Sequence, residues 1–146
     1  MAAARALLDR RSIDPDALNI SILDCGGREN LPDYVRLLDE LHIDAFVLTD
    51  GDASKIKNND STAKNVAAVE TAAAGRMFRF TEDIETALGT EKRGRGENPA
   101  HLVWLIEALD LDELPDDHEI AGCLAAMEAF CRSASFAVSH PPTAGG

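Results

Sequence analysis

Two aspartates separated by one glycine, Asp50 and Asp52, are the residues of this sequence whose types and spacing best suit chemistry. They follow an apolar run at residues 43–49, whose length and β-branched and aromatic content predict a buried β-strand. Buried strands belong to parallel sheets covered by helices, and ligands gather beyond the carboxyl ends of such strands. Gly51 lacks a Cβ, so the chain can turn there and aim both carboxylates at one point.

The chemistry that this pair predicts is the binding of a hard cation. Two converging carboxylates repel each other unless a cation lies between them, and carboxylate oxygens suit Mg²⁺, Mn²⁺ or Ca²⁺. The competing interpretation is an ordinary Asp-Gly turn at the end of a strand. These residues alone favour neither interpretation.

Strand and helix patterns alternate along the chain and therefore predict an α/β fold with a parallel sheet. The predicted strands are residues 18–23, 43–49 and 77–80. The predicted helices cover residues 2–10, 30–41 with Asn30 as cap, 61–74 with Ser61 as cap, a short helix that residues 81–85 open and that ends near residue 89, a segment from 98, and a segment from 115 with Asp116 and Glu119 as capping box. Residues 55–60 are predicted to be a polar loop.

The loops that follow parallel strands open onto one edge of the sheet, and three of those loops carry chemistry-bearing side chains. Besides Asp50 and Asp52, this places Asp83 and Glu85 at the edge. Glu85 is a candidate further metal ligand or general base, or an acid that merely suits a helix N-terminus. Asp83 is a candidate helix cap.

Size and charge narrow the function classes. The chain has 146 residues, of which 45% are hydrophobic, and a net charge of −12. It is long enough for a packed core and has no apolar run of the ~20 residues that span a membrane. The negative net charge opposes bulk attraction to nucleic acid. Three cysteines without metal-ligand spacing predict a reducing, cytoplasmic compartment. Two basic clusters are candidate local contacts or simply solvated loop charges: Lys55, Lys57 and Lys64, and Lys92, Arg93 and Arg95.

The ordered set of these features resembles a known family. A strand ending in Gly26 and Gly27, followed by Asn30 and a helix, then a strand ending in Asp50 and Asp52, is similar to part of a TOPRIM domain. It looks in particular like the OLD (overcoming lysogenization defect) family of ATP-dependent endonucleases. Glu85, two residues after Asp83 and beyond the next strand, resembles the later acidic site of that family.

The resemblance implies a Rossmann-like TOPRIM sheet and a Mg²⁺- or Mn²⁺-dependent DNA endonuclease with Asp50, Asp52 and Glu85 as metal ligands and catalytic residues. It implies DNA as partner, an ATPase domain that another chain supplies or that is lost, and a possible homo-oligomer without membrane attachment. The expected domains are a partial TOPRIM domain at 1–90, a helical segment at 91–137 and a disordered tail at 138–146.

The chain also departs from the family. It has no strand ending in Glu-Gly before the first helix and no GxxxxGK[ST] motif, so we expect an N-terminally truncated piece with little nuclease activity alone. Lys92 is the weak candidate for the lysine of the family. In the resembled fold the absent first strand lies between the strands at 18–23 and 43–49. Because unpaired buried backbone groups cost about 1–3 kcal/mol each, we expect those strands to pair directly, to accept a strand from a partner chain, or to aggregate through open edges.

Two other functions remain open from the residues. Asp50 and Asp52 after an apolar strand also resemble a haloacid-dehalogenase-like phosphatase, with Asp50 as nucleophile and Asp52 as acid/base. A catalytic lysine for that chemistry is not evident. The third interpretation is a non-catalytic remnant or interaction domain.

Overall fold

The computed structural model describes residues 2–91 and 98–139, which form a mixed α/β fold as predicted. Lys92, Arg93 and Arg95, and the predicted tail from residue 140 onward, lie outside the described residues. The elements in chain order are α1 (Ala2–Arg10), α2 (Leu31–Glu40), β1 (Val47–Thr49), α3 (Ala53–Ile56), α4 (Asp60–Ala73), β2 (Met77–Arg79), α5 (Ile84–Ala87), α6 (Asn98–Ala108) and α7 (Glu119–Ser139). The division into domains at residues 90 and 137 stays a prediction.

The sheet of the described residues has two parallel strands, with Val47 opposite Met77 and Thr49 opposite Arg79. Both strands are three residues long. The predicted strand at 43–49 is therefore too long, and its first residue, Ile43, is 49% exposed. The segment before β1 has no neighbouring strand to pair with, and pairing is what extends a strand.

Two apolar cores lie on opposite faces of the sheet, because alternate residues of a strand point in opposite directions. On one face, Phe46, Leu48 and Phe80 pack against a core that α1, α6 and α7 build. On the other face, Val47 packs with residues of α2 and α4, among them Val69. Helices thus cover both faces of the sheet, as expected for parallel strands.

The residues at 18–23 do not form the predicted strand. Leu18, Ile20 and Ile22 are half-buried and pack on the α7 side of the sheet, whereas Ser21 and Leu23 are exposed. The alternation that suggested a strand is real, but the segment forms no ladder. It lacks a strand beside it to accept its hydrogen bonds.

Direct pairing of this segment with β1 is therefore absent from the described part of the chain. A cavity of about 350 Å³, called the β1 groove below, lies beside β1 and the loop that follows this segment. The groove is lined by Leu23, Asp24, Cys25, Gly27, Arg28, Leu31, Leu48, Thr49 and Asp50. β1 keeps one hydrogen-bonded edge toward β2 and one edge toward this groove.

Several predicted caps are replaced by other residues. Asn59, not Ser61, caps α4 by accepting hydrogen bonds from the amides of Ser61 and Thr62. The side chain of Asn30 makes no cap bond to α2 and donates instead to the carbonyl of Cys25 at 2.9 Å. The polar loop predicted at 55–60 contains the end of α3. Local sequence offers several capping candidates within a few residues, and the approach of the chain decides among them.

The ends of the C-terminal helices also differ from the prediction. α7 begins at Glu119 rather than near Pro115, and the Glu119 carboxylate accepts hydrogen bonds from the amide and hydroxyl of Thr81. The expected capping box is therefore wrong, because a tertiary partner takes the carboxylate. Cys123 and Cys131 are buried in the core, and burial raises the pKa of the Cys123 thiol to about 12.

Candidate functional site

The loop that follows β1 is tied to the turn that follows β2 by three backbone hydrogen bonds. The amides of Gly51 and Asp52 donate to the carbonyl of Glu82 at 2.8 and 2.9 Å, and the amide of Ala53 donates to the carbonyl of Thr81 at 3.1 Å. The side chain of Glu82 adds two further bonds: its carboxylate accepts hydrogen bonds from the amide and hydroxyl of Ser54 at 2.7 and 2.8 Å. The carboxyl ends of the two strands therefore form one connected edge.

Gly51 is required at this edge by close packing. A Cβ at Gly51 would lie 2.1 Å from the carbonyl oxygen of Phe80 and 2.4 Å from that of Thr81. The sequence predicted that glycine is needed here for a turn. The structure gives close packing as the reason instead, because the residue with a positive φ in this loop is Asp52, at 50°. Aspartate tolerates this left-handed conformation better than most residues.

Asp52 holds a positively charged group on each of its two carboxylate oxygens. Arg28 Nη2 lies 2.5 Å from Oδ2, and Lys55 Nζ lies 2.7 Å from Oδ1. The side chains of Arg28 and Asp52 are only 14% and 18% exposed, whereas Lys55 is 68% exposed. Burial by itself raises the pKa of Asp52, but hydrogen bonds and charge attraction from Lys55 and Arg28 outweigh it, so the pKa lies below its usual value.

Asp50 is half-buried and lines the β1 groove, together with Arg28. Arg28 contacts Asp52 directly and lines the same groove as Asp50. Asp50 and Asp52 both lie at the carboxyl end of β1, as predicted.

Glu85 has a different environment. It is the buried charged residue of the described core, 4% exposed, and its Oε1 accepts a hydrogen bond from Asn98 Nδ2 at 2.6 Å. This contact joins α5 to the first turn of α6. Asp83 caps α5 by accepting from the amide of Thr86 at 2.8 Å, as the cap interpretation predicted.

Donor chemistry at the edge fits a hard divalent cation, but the number of donors is incomplete. The Asp52 carboxylate is engaged with two cationic nitrogens, one on each of its oxygens. Across residues 2–91 and 98–139, however, no three side chains of histidine, cysteine, aspartate or glutamate are grouped so as to hold a metal. The ligand roles of Asp50, Asp52 and Glu85 stay a prediction.

Sequence reasoning missed the role of Arg28. It noted Gly26 and Gly27 in the same loop but assigned no function to the arginine after them. Arg28 and Asp52 are 24 residues apart, so no helix or turn periodicity couples them. A basic residue directly after a Gly-Gly turn at the same sheet edge was the available signal.

Comparisons with known proteins point to one family. Residues 2–52 match the family described as overcoming lysogenization defect protein-like, TOPRIM domain. The predicted resemblance to an OLD-type TOPRIM domain is confirmed. The matched residues include Arg28, Asp50 and Asp52, whereas Glu85 lies beyond them.

A curated relative supports the same similarity to OLD proteins. The chain is 27% identical over 128 residues to the OLD nuclease of Thermus scotoductus (strain ATCC 700910 / SA-01), which covers 78% of the chain and 24% of the relative. The chain thus spans about a quarter of the length of this relative. No helix of the described residues is both long and apolar enough to cross a membrane.

Proposed function

We propose that this chain contributes to the metal site of an OLD-type nuclease, with Asp50 and Asp52 binding Mg²⁺ or Mn²⁺ for hydrolysis of DNA phosphodiester bonds. The observation that carries the proposal is the pair of cationic groups on Asp52. This carboxylate lies within the residues that match the TOPRIM domain. A residue that already binds positive charge at the carboxyl end of a parallel strand is well placed for a metal.

When bound, the ion would activate a water and stabilise the leaving oxygen of the phosphodiester. Asp50 and Asp52 would hold the ion, and Asp50 lines the β1 groove. Gly51 lets their loop lie directly against the end of β2, so the position of both carboxylates depends on the sheet and not on a mobile loop. Glu85 is buried and its Oε1 accepts a hydrogen bond from Asn98, so we assign it to the support of the site.

DNA is the proposed substrate, and the nuclease is proposed to act in the cytoplasm. With a net charge of −12, this chain attracts DNA poorly by itself. Basic surface for DNA binding, and any ATPase function, would come from another chain, and a homo-oligomer of this chain is proposed separately as its assembly. We therefore expect the isolated chain to bind metal weakly and to cleave DNA little, because affinity for a hard cation rises with the charge and number of its ligands.

Titration with Mn²⁺, monitored by electron paramagnetic resonance, tests the metal site. The wild type should bind Mn²⁺, the doubly substituted variant with Asp50→Asn and Asp52→Asn should lose binding, and Asp44→Asn should not. Asp44 is the matched control, since it is an exposed aspartate shortly before β1. Equal affinity of the wild type and the doubly substituted variant would refute the proposal.

Activity assays test the reaction class separately. Pure protein is incubated with supercoiled plasmid and Mg²⁺, and in parallel with small phosphoesters. Strong nicking that Asp52→Ala abolishes would show that the isolated chain is active, contrary to expectation. Hydrolysis of small phosphoesters without any nicking would favour the phosphatase alternative.

A further inference from the structure

Arg28 is held against Asp52 more closely than a surface ion pair requires. Its guanidinium is 2.5 Å from the carboxylate, and both side chains are more than four-fifths buried. Lys55 binds the other oxygen from the solvent side and is two-thirds exposed. Because water screens Lys55 far more than Arg28, Arg28 is the dominant counter-ion of Asp52.

The guanidinium of Arg28 also has hydrogen-bonding capacity left over. Its Nε is the one buried side-chain nitrogen or oxygen of the described residues without a hydrogen-bond partner. A buried donor without a partner costs free energy, so this placement of Arg28 is not its best possible set of contacts. The side chain also lines the β1 groove, which gives it space into which to move.

We propose that Arg28 is an internal counter-ion that competes with the divalent cation for Asp52. Before the cation arrives, Arg28 neutralises Asp52 and limits its repulsion with Asp50 in the same loop. If Asp52 bound a divalent cation, Arg28 would give up its contact with Oδ2, and the β1 groove that it lines would leave it space to move. A monovalent ion offers one charge in exchange for one and gains little, so the arrangement favours divalent ions. This inference rests on the proposed function, because it takes Asp52 as a metal ligand.

The test is a Mn²⁺ titration of the full chain, comparing the wild type with Arg28→Gln, Arg28→Lys and Arg36→Gln. If Arg28 competes with the ion, Arg28→Gln should bind Mn²⁺ about tenfold more tightly, a factor typical of one charge-assisted contact. Arg28→Lys keeps the competing charge and should stay within about twofold of the wild type. Arg36, which is exposed and pairs with Asp33 at 3.5 Å, is the matched control and should have no effect.

A second measurement uses the wild type alone and so does not depend on the folding of a variant. The ¹⁵N-detected side-chain resonances of arginine are recorded during titration with diamagnetic Mg²⁺. The Arg28 signal should shift and saturate with the same midpoint as Mg²⁺ binding, while the Arg36 signal should stay in place. An Arg28 signal that does not move while Mg²⁺ binds would overturn the proposal.

The outcomes separate this inference from the proposed function. Wild-type affinity that falls in Asp52→Asn but does not rise in Arg28→Gln would overturn the competition and leave the metal site standing. Weaker binding by Arg28→Gln would also overturn it, since Arg28 would then be supporting the site. An absence of Mn²⁺ binding in the wild type and every variant would refute both ideas together.

Discussion

The acidic residues that follow the two strands have different kinds of partners. After β1, Asp52 is surrounded by positive charge, and one of its partners comes from a loop 24 residues earlier. After β2, the carboxylate of Glu82 accepts hydrogen bonds from Ser54, and that of Glu85 accepts one from Asn98. The first arrangement can exchange one cation for another, whereas the second ties neighbouring elements together.

This difference shows that an acid at the carboxyl end of a parallel strand is not a metal ligand by position alone. The partners of the carboxylate decide whether it binds a cation or accepts hydrogen bonds that connect neighbouring elements. Glu85 and Asp52 are both acidic residues that follow a strand in the sequence. In the structure, Glu85 is buried and accepts a hydrogen bond from the amide of Asn98, whereas Asp52 accepts one from the guanidinium of Arg28.

The largest expected effect comes from separating the two strand ends. Gly51→Ala places a Cβ 2.1 Å from the carbonyl oxygen of Phe80, so the connected edge must open. We expect a loss of about 3 kcal/mol or more in the free energy of unfolding, measured by urea denaturation.

Gly89→Ala is the control for this prediction. Gly89 has a φ of +68° and no atom within 4 Å of the added Cβ, so only backbone strain of about 1–2 kcal/mol is expected. If the two variants were equally stable, close packing at Gly51 would not be what holds the strand ends together.

Removing the buried carboxylate tests the supporting role of the β2 end. Glu85→Ala deletes the acceptor of the Asn98 amide at a position that is 4% exposed. We expect a loss of about 1–3 kcal/mol, measured by denaturant unfolding, without a change in Mn²⁺ affinity. The exposed Glu40→Ala should change stability by less than about 0.5 kcal/mol. A loss of Mn²⁺ binding in Glu85→Ala at unchanged stability would instead make Glu85 a metal ligand.

The pH dependence of stability should distinguish Asp52 from an ordinary surface acid. Its pKa in the folded protein is below the usual 3.8, so its ion pairs stabilise the fold fully above that value. The contribution is lost as the pH falls through the folded pKa. In metal-free buffer, Asp52→Asn should cost about 1 kcal/mol near pH 7. The difference from the wild type should vanish near the acid end of the titration, and a difference that is constant with pH would contradict this assignment.

The smallest expected effect concerns the two edges of β1 and involves no mutation. The Val47 amide donates to the carbonyl of Arg76, and Thr49 accepts from the amide of Phe80. Alternate residues of a strand direct their backbone groups to opposite edges, so Leu48 directs its amide toward the β1 groove. Hydrogen exchange followed by NMR should show faster exchange at Leu48 than at Val47. Equal protection would mean that another strand fills the groove in solution.

Much of the fold followed from the sequence, because helix periodicity and short apolar runs are local signals. α1, the approximate extents of α2 and α4, and β2 at residues 77–79 agree with the predictions. The position of Asp50 and Asp52 at the end of a strand also followed from the order of residues, since a strand ends where its apolar run meets turn-forming residues. The resemblance to a TOPRIM domain depended on the same order and spacing.

Only the tertiary structure decided which contacts those residues make. Residues 18–23 alternate like a strand, but a strand also needs a neighbour, and local sequence does not say whether one is present. The pairing of Arg28 with Asp52 and the burial of Glu85 against Asn98 join segments that no short-range pattern connects. Charge, burial and hydrogen bonding at a site are properties of residues brought together from distant parts of the chain. The sequence by itself therefore determined where the carboxylates stand, and the packing determined which of them is held by positive charge.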